Sequence, residues 1–393
     1  MLRFLTAGES HGPCLVATIE GLPANLPFDV EALNAQLARR QGGYGRGARM
    51  RMEHDRAEVL TGVRHGKTLG SPITLQIANK DWVNWQEKMS AAPVAEPPEA
   101  ITRVRPGHAD FTGAVKYHQH DVRNVIERSS SRETAARVAV GGVCLQLLAQ
   151  LGMHVHSQVL AIGPIGDATL LRDLGPTAWT DELWARVEAS PVRCADPDLS
   201  GQMTAYIDTI RKAGDTAGGV FEVVATGVPL GLGSYAQWDR RLGARIGMAL
   251  LSIPSSKGVE IGAGFGAARR PGSEVHDVLR HPAAGTWAHL SNNAGGLEGG
   301  ITNGEPIVAR VALKPIPTLA HPLPSVDLAT GEDIAATRYE RSDVCVVPAG
   351  GVVGEAMLAI VLAEAVLESF GGDSIEELQA HIQATQALQR TLG

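Results

Sequence analysis

The chain has 393 residues, of which 44% are hydrophobic, 20% charged and 4% aromatic. That balance fits a globular protein whose large core is built mainly from Ala, Val, Leu and Ile. A formal net charge of −7 weighs against a general nucleic-acid binder, although positive charge is concentrated in particular segments. The four cysteines (Cys14, Cys144, Cys194, Cys345) are far apart and form no CxxC pair. Without a signal-peptide pattern they read as reduced thiols of a cytoplasmic protein. The longest apolar run, 356–363, stops at Glu364; it is short for a bilayer span, so no membrane is expected.

In chain order, a short apolar strand leads into Gly8, and alternation predicts a strand over Cys14–Glu20. Asp29 caps a helix with Val30, Leu33 and Leu37 on one face, ended by Gly42 and Gly43. A second alternating strand covers Ile73–Ala78, followed by a Pro- and Ala-rich connection at 91–99. Residues 133–151 are almost wholly apolar and predict a helix buried between layers. Met203, Ile207 and Ile210 recur at helical spacing within 200–212, and strands follow at 219–228 and 307–314. A flexible connection at 320–333 precedes Ser374 and Glu377, which form a capping box for a further helix. The elements lack the regular beat of βαβ units. The expected fold class is therefore α+β, with helices packed against mostly antiparallel sheets. Neither connection marks a boundary, so one domain over 1–393 is expected.

Six clusters carry chemistry. Gly8-Glu9-Ser10-His11-Gly12 puts a histidine between glycines where backbone can approach a ligand, and an ordinary imidazole pKa of ~6.5 suits proton exchange at neutral pH. A turn histidine that merely lies between glycines fits the same pattern. The stretch 39–51 holds Arg39, Arg40, Arg46, Arg49 and Arg51 among four glycines. Guanidinium groups match phosphate and carboxylate oxygens in pairs, so these arginines are expected to converge on an anion. A third cluster runs from Arg103 to Asp110 and includes Arg105 and His108. A fourth, 127–137, places Arg128, Ser129, Ser130, Ser131 and Arg132 at the start of the buried helix, where free N–H groups favour anions. A plain serine cap would look the same. Lys314-Pro315-Ile316-Pro317-Thr318 is a stiff loop after a strand that suits a flat ligand. Arg341-Ser342-Asp343-Val344-Cys345 is expected to precede another strand, with Arg341 and Asp343 on one face of the extended chain, where a local ion pair is the simpler account.

Phosphate-loop, HExxH and GxSxG motifs are missing, Gly262–Gly266 does not complete a dinucleotide fingerprint, and no zinc-ligand spacing appears among the 13 histidines. No metal is expected. The sum is an enzyme for a small polyanion bearing phosphate and carboxylates.

The same segments closely resemble the chorismate synthase family. GESHG (8–12), RRQGGYGRGARM (39–50), RPGHAD (105–110), ERSSSRETAARVA (127–139), GDTAGG (214–219), KGVEIGAGF (257–265), NNAGGLEGGITNGEP (292–306), KPIPT (314–318) and RSDVCVVPA (341–349) follow its signatures in order. The resemblance implies one domain with helices sandwiched between two antiparallel sheets, assembled as a homotetramer. It also implies reduced FMN and an anti-1,4-elimination of phosphate from 5-enolpyruvylshikimate 3-phosphate, with no net redox change. By the same carry-over, Ser10, Arg40, Arg46, Arg49, Arg105, Arg132 and Arg341 bind substrate. His11 lies by the flavin N1 region, His108 protonates the departing phosphate, and Asp343 assists removal of the ring hydrogen. The flavin contacts carried over are Arg128, Ser129, Ser130, Pro254, Ser255, Gly299, Lys314, Pro315, Ile316, Pro317, Thr318 and Arg341. Ile253-Pro254-Ser255-Ser256 departs from the commoner family version at that contact. Burying so many like charges is expected to leave the ligand-free site loose. The competing readings are a nucleic-acid binder gripping phosphates and an oxidoreductase turning over NADPH. With no Rossmann unit, NADPH is expected only as a source of reductant, and an external flavin reductant is expected.

Overall fold

The computed structural model describes residues 2–47, 54–167, 175–281, 283, 287–337 and 342–392. The N-terminal sheet has four strands in the order Arg3–Ala7, Cys14–Glu20, Ile73–Ala78, Ala57–Val59, every neighbour antiparallel. The second sheet runs Ser256–Ile261, Ile307–Leu313, Gly219–Thr226, His154–Ile162, Ile165–Gly166, again antiparallel throughout. Between them lie three helices. Thr134–Gln150 covers the inner face of the first sheet, Val347–Phe370 lies on the second, and Val30–Gln41 packs beside both. The expected α+β sandwich of helices between two antiparallel sheets is what the chain forms. One continuous core joins Leu15, Ile19 and Leu75 of the first sheet to Val140 and Leu358 of the helices and Phe221 and Val311 of the second.

Local signals explain the edges of these elements. Asp29 accepts from the Glu31 N–H at 2.8 Å, and Gly42 turns its own N–H back to Ala38 and Arg39. The capping box of Ser374 and Glu377 is formed on both sides. The helix read at 200–212 begins three residues earlier, at Pro197, because Asp196 caps it and proline fits the first turn. Gly141 makes the central helix crossing possible: a Cβ there would land on Ala356. Gly350, Gly351 and Gly354 likewise let Val347–Phe370 lie close on Phe221 and Ser157.

Two expectations are corrected. The segment after Cys345 is a 24-residue helix, not a strand, with Pro348 in its first turn. Among the described residues it is the one helix long and apolar enough to cross a membrane, so the short-run argument fails. Burial decides instead, because 94% of its most apolar window lies inside the fold. Its Glu355 is neutralised there by Arg39 and Arg193 at 2.6 and 3.0 Å.

Candidate active site

The site forms at the N-terminal end of the Thr134–Gln150 helix, where the turn Ser131–Glu133 meets the last turn of Val30–Gln41. Arg40 points there: Nε donates to Thr134 Oγ1 at 3.0 Å, Nη2 to the Ser131 carbonyl at 3.3 Å, and Nη1 to Asp55 at 3.3 Å. Arg132 gives Nη1 to both oxygens of Asp55, each at 2.6 Å, while Nε and Nη2 share Asn79 Oδ1 at 3.0 and 2.9 Å. All four side chains are buried. Burial pushes the Arg40 guanidinium down to about 9, with Arg46 and Arg132 adding to the fall and Asp55 opposing it. Arg40 therefore still carries its charge at neutral pH. Asp55 and Asn79 supply counter-charge and acceptors to these buried guanidinium groups.

Arg46 pairs with Asp343 at 3.0 Å, and the Gly47 N–H donates to the same carboxylate at 2.5 Å. Asp343 thus binds across to the glycine–arginine stretch; its expected neighbour Arg341 lies outside the described residues, as does Arg49. Arg39 does not converge with the others. It turns to Glu355 and to Glu188 at 2.5 Å, and these carboxylates hold its pKa above the ordinary value despite burial.

Each histidine meets a buried carboxylate. The His11 N–H donates to Glu127 Oε2 at 2.8 Å, and its Nδ1 lies 2.9 and 3.1 Å from the two Glu127 oxygens. The ring stacks on Trp85 with centroids 4.0 Å apart. Asn79 Nδ2 donates to the carbonyls of Glu9 and Gly12 at 3.1 and 2.8 Å, which ties the His11 turn to Arg132. Gly8 sits at φ +106, where a Cβ would strike the Cys14–Leu15 backbone, so the turn needs glycine. Ser10 is buried, with its N–H on the Glu127 carbonyl at 3.0 Å. Burial alone would raise the Glu127 carboxyl, but its bonds to His11 and the charge of Arg123 hold it below the usual range.

His108 Nδ1 bonds to Asp110 Oδ1. Arg105 completes that group through Nε to Asp110 at 2.8 Å and Nη1 to Thr318 at 3.0 Å. Against a burial effect in the other direction, His108 and Arg105 hold Asp110 far below an ordinary aspartate. The short helix Arg123–Ser129 joins the two histidine groups. Ile126 packs with Ile101, Val104 and Val122, whereas Glu127 reaches the Ser10–His11 turn and Arg128 the first sheet. Arg128 donates to the carbonyls of Thr6 and Gly8 at 2.8 and 3.0 Å.

The remaining expected flavin residues mostly gather beside Arg105. Lys314 bonds through Nζ to the Gly107 carbonyl and through its backbone N–H to Ser255 at 2.9 Å. Ser255, after Pro254, has φ 71, so this departure from the family pattern still adjoins Lys314. The Ile316 carbonyl accepts from Thr216 at 2.7 Å, which fixes the Pro315–Pro317 loop. Ser130 caps the Ser131–Glu133 turn by accepting from Arg132 N at 3.2 Å, the plain role considered above, and Ser129 lies at the end of the preceding helix. Gly299 is not brought to Lys314. It tips the hairpin of Leu297–Glu298 and Ile301–Thr302, next to the start of the Leu242–Leu251 helix, whereas Ser255 follows that helix's end. Ten helical residues span about 15 Å. Asp55, Asn79 and Trp85 carry no local sequence signal; Glu127, Asp110 and Lys257 stand inside motifs without a role assigned from sequence.

Buried guanidinium groups, two histidine–carboxylate pairs and a rigid basic loop define an enzyme of the α+β class built around a small polyanion. With Arg40, Arg105 and Arg132 buried, a grip on nucleic-acid backbone is disfavoured. The comparisons agree. The family model for chorismate synthase matches residues 2–367. The chain is 54% identical to chorismate synthase of Moorella thermoacetica over 384 residues, covering 98% of each protein. It is 53% identical to that of Aquifex aeolicus, covering 97% of this chain and 96% of the relative. A crystal structure of chorismate synthase superposes with a TM-score of 0.80 at 44% identity, covering 99% of this chain and 98% of the other. The chain belongs to the chorismate synthase family.

Proposed function

We propose that this protein is a lyase that converts 5-enolpyruvylshikimate 3-phosphate to chorismate, the last step of the shikimate pathway leading to aromatic amino acids, in the presence of reduced FMN. The observation that carries the reading is the Arg40–Asp55–Arg132 group beside two histidine–carboxylate pairs. A substrate with one phosphate and two carboxylates needs several cations fixed in place, and arginine keeps its charge when water is excluded. Arg40, Arg46 and Arg132, with Ser10, Arg49, Arg105 and Arg341, bind it.

In the elimination, His108 delivers a proton to the departing phosphate, oriented by Asp110 and flanked by Arg105. Asp343 receives the ring proton, and Arg46 stabilises its charged form. The atoms balance: one phosphate and one proton leave, and no net electrons move. His11 compensates charge at the cofactor. The cofactor, when bound, supplies transient electron density that weakens the C–O bond.

The residues suit a phosphorylated flavin. Lys314 is pushed below an ordinary lysine by burial and by Lys257, so an anion between these ammonium groups relieves both. Arg128, Ser129, Ser130, Pro254, Ser255, Arg341 and the Lys314–Thr318 loop hold the cofactor. We further propose a single-domain chain that acts as a cytoplasmic homotetramer, with an external flavin reductant. NADPH would serve only as a source of reductant. The test is an anaerobic assay with dithionite-reduced FMN, following chorismate by absorbance. No product under those conditions refutes the reaction. Rapid aerobic turnover with oxidised FMN and NADPH refutes only the need for an outside reductant.

A further inference from the structure

We propose that Glu127 is a positioning residue that fixes the tautomer and orientation of His11. The inference rests on the role given to His11 above. Glu127 is 2% exposed, and its carboxylate faces two donors of one residue, the His11 backbone N–H at 2.8 Å and Nδ1 at 2.9 Å. A carboxylate only accepts, so it draws the neutral imidazole's proton onto Nδ1. Trp85 closes the other side, stacked on the ring at 4.0 Å with an interplanar angle of 26°. The indole is itself held by Asp81, through Nε1 at 2.9 Å. Arg123 spans the two walls, 3.3 Å from Glu127 and 4.9 Å from the Trp85 ring centre. Trp85 thus sets the ring plane and Glu127 the rotation and tautomer, an arrangement beyond what a turn histidine needs.

Glu127→Gln discriminates this role from a structural one. An amide puts one acceptor oxygen and one donor NH2 where the carboxylate has two acceptor oxygens. If its oxygen keeps the backbone N–H, its NH2 faces Nδ1 and drives the imidazole proton to Nε2. The expected result is a kcat lower by about 10–100-fold, with KM and flavin affinity within about threefold of wild type. Nitrogen-15 histidine NMR should show His11, assigned by the loss of its signal in His11→Asn, as the Nδ1–H form in wild type and the Nε2–H form in Glu127→Gln. In a double-mutant cycle, Glu127→Gln should cost little once His11 is replaced. A wild-type spectrum dominated by Nε2–H overturns the proposal even if the variant does not fold. So does a tautomer switch with unchanged kcat, or an equal loss of rate on the His11→Asn background. Full activity of His11→Asn would instead sink the reading of His11 on which the inference rests.

Discussion

Arg132 and Asp55, 77 residues apart in sequence, meet through Nη1 and both carboxylate oxygens at 2.6 Å, each side chain almost fully out of solvent. The pair places a counter-charge within a cluster of like charges, because Asp55 also faces Arg40. A buried charge that loses its partner is costly, more so than the pair is beneficial.

Asp55→Asn should therefore destabilise the fold by roughly 3–5 kcal/mol and raise KM more than it lowers kcat. Urea unfolding and steady-state kinetics measure the two effects. Wild-type stability in this variant would show that Asp55 is not the counter-ion for Arg40 and Arg132.

His108→Ala and His11→Ala should each retain the fold and bind FMN, and each should lose about 10²–10⁴-fold in elimination rate. Single-turnover chorismate formation under anaerobic conditions reads this directly. Near wild-type rates in both variants would falsify the acid–base assignment.

Asp343→Asn keeps the shape of a side chain that touches Arg46 and the Gly47 N–H. It should lose at least ~10²-fold in rate while still binding flavin. An Asn variant with full rate would place the proton acceptor elsewhere.

Acid should weaken the fold through Asp110 and Glu127, whose folded pKa values are depressed. Their unfolded values are about 3.9 and 4.3. The stabilisation is complete above those values and disappears as pH falls through the folded ones. Calorimetry should show a melting temperature that declines below about pH 4.3, and Asp110→Asn should flatten part of that decline. Equal melting temperatures at acid and neutral pH would contradict this.

Gly141→Val places a branched side chain against Ala356, in the helix crossing at the centre of the sandwich. Overpacking of this kind costs roughly 1–3 kcal/mol or more, and the loss should appear in urea unfolding without a specific effect on KM.

The helix caps at Asp29 and Ser374 and the strands Cys14–Glu20 and Ile73–Ala78 were legible because local chemistry sets them. The strand His154–Ile162 was not, since Ser157 and Gln158 are buried polar residues satisfied by Glu355 and Glu222 from other elements. Val347–Phe370 is apolar on all sides and gives no period to detect. In the site, the glycine–arginine stretch announced an anion pocket but not which arginines enter it. Successive helical residues differ by about 100°, so Arg40 faces Asp55 while Arg39 faces Glu355. The assignments of the histidines came from family resemblance. The carboxylate partner of His11 needed the folded geometry, because Glu127 lies 116 residues away, whereas Asp110 stands two residues from His108.

The Val347–Phe370 helix follows every strand of both sheets along the chain, yet it fills the space between them. During synthesis both sheets exist as sequence before the segment that covers the second one has left the ribosome. Until then the inner face of the second sheet lacks that cover, whereas Thr134–Gln150 is already present to cover the first. A nascent chain stalled before residue 347 should be held by chaperones, and the enzyme's assembly should be paced by this late segment.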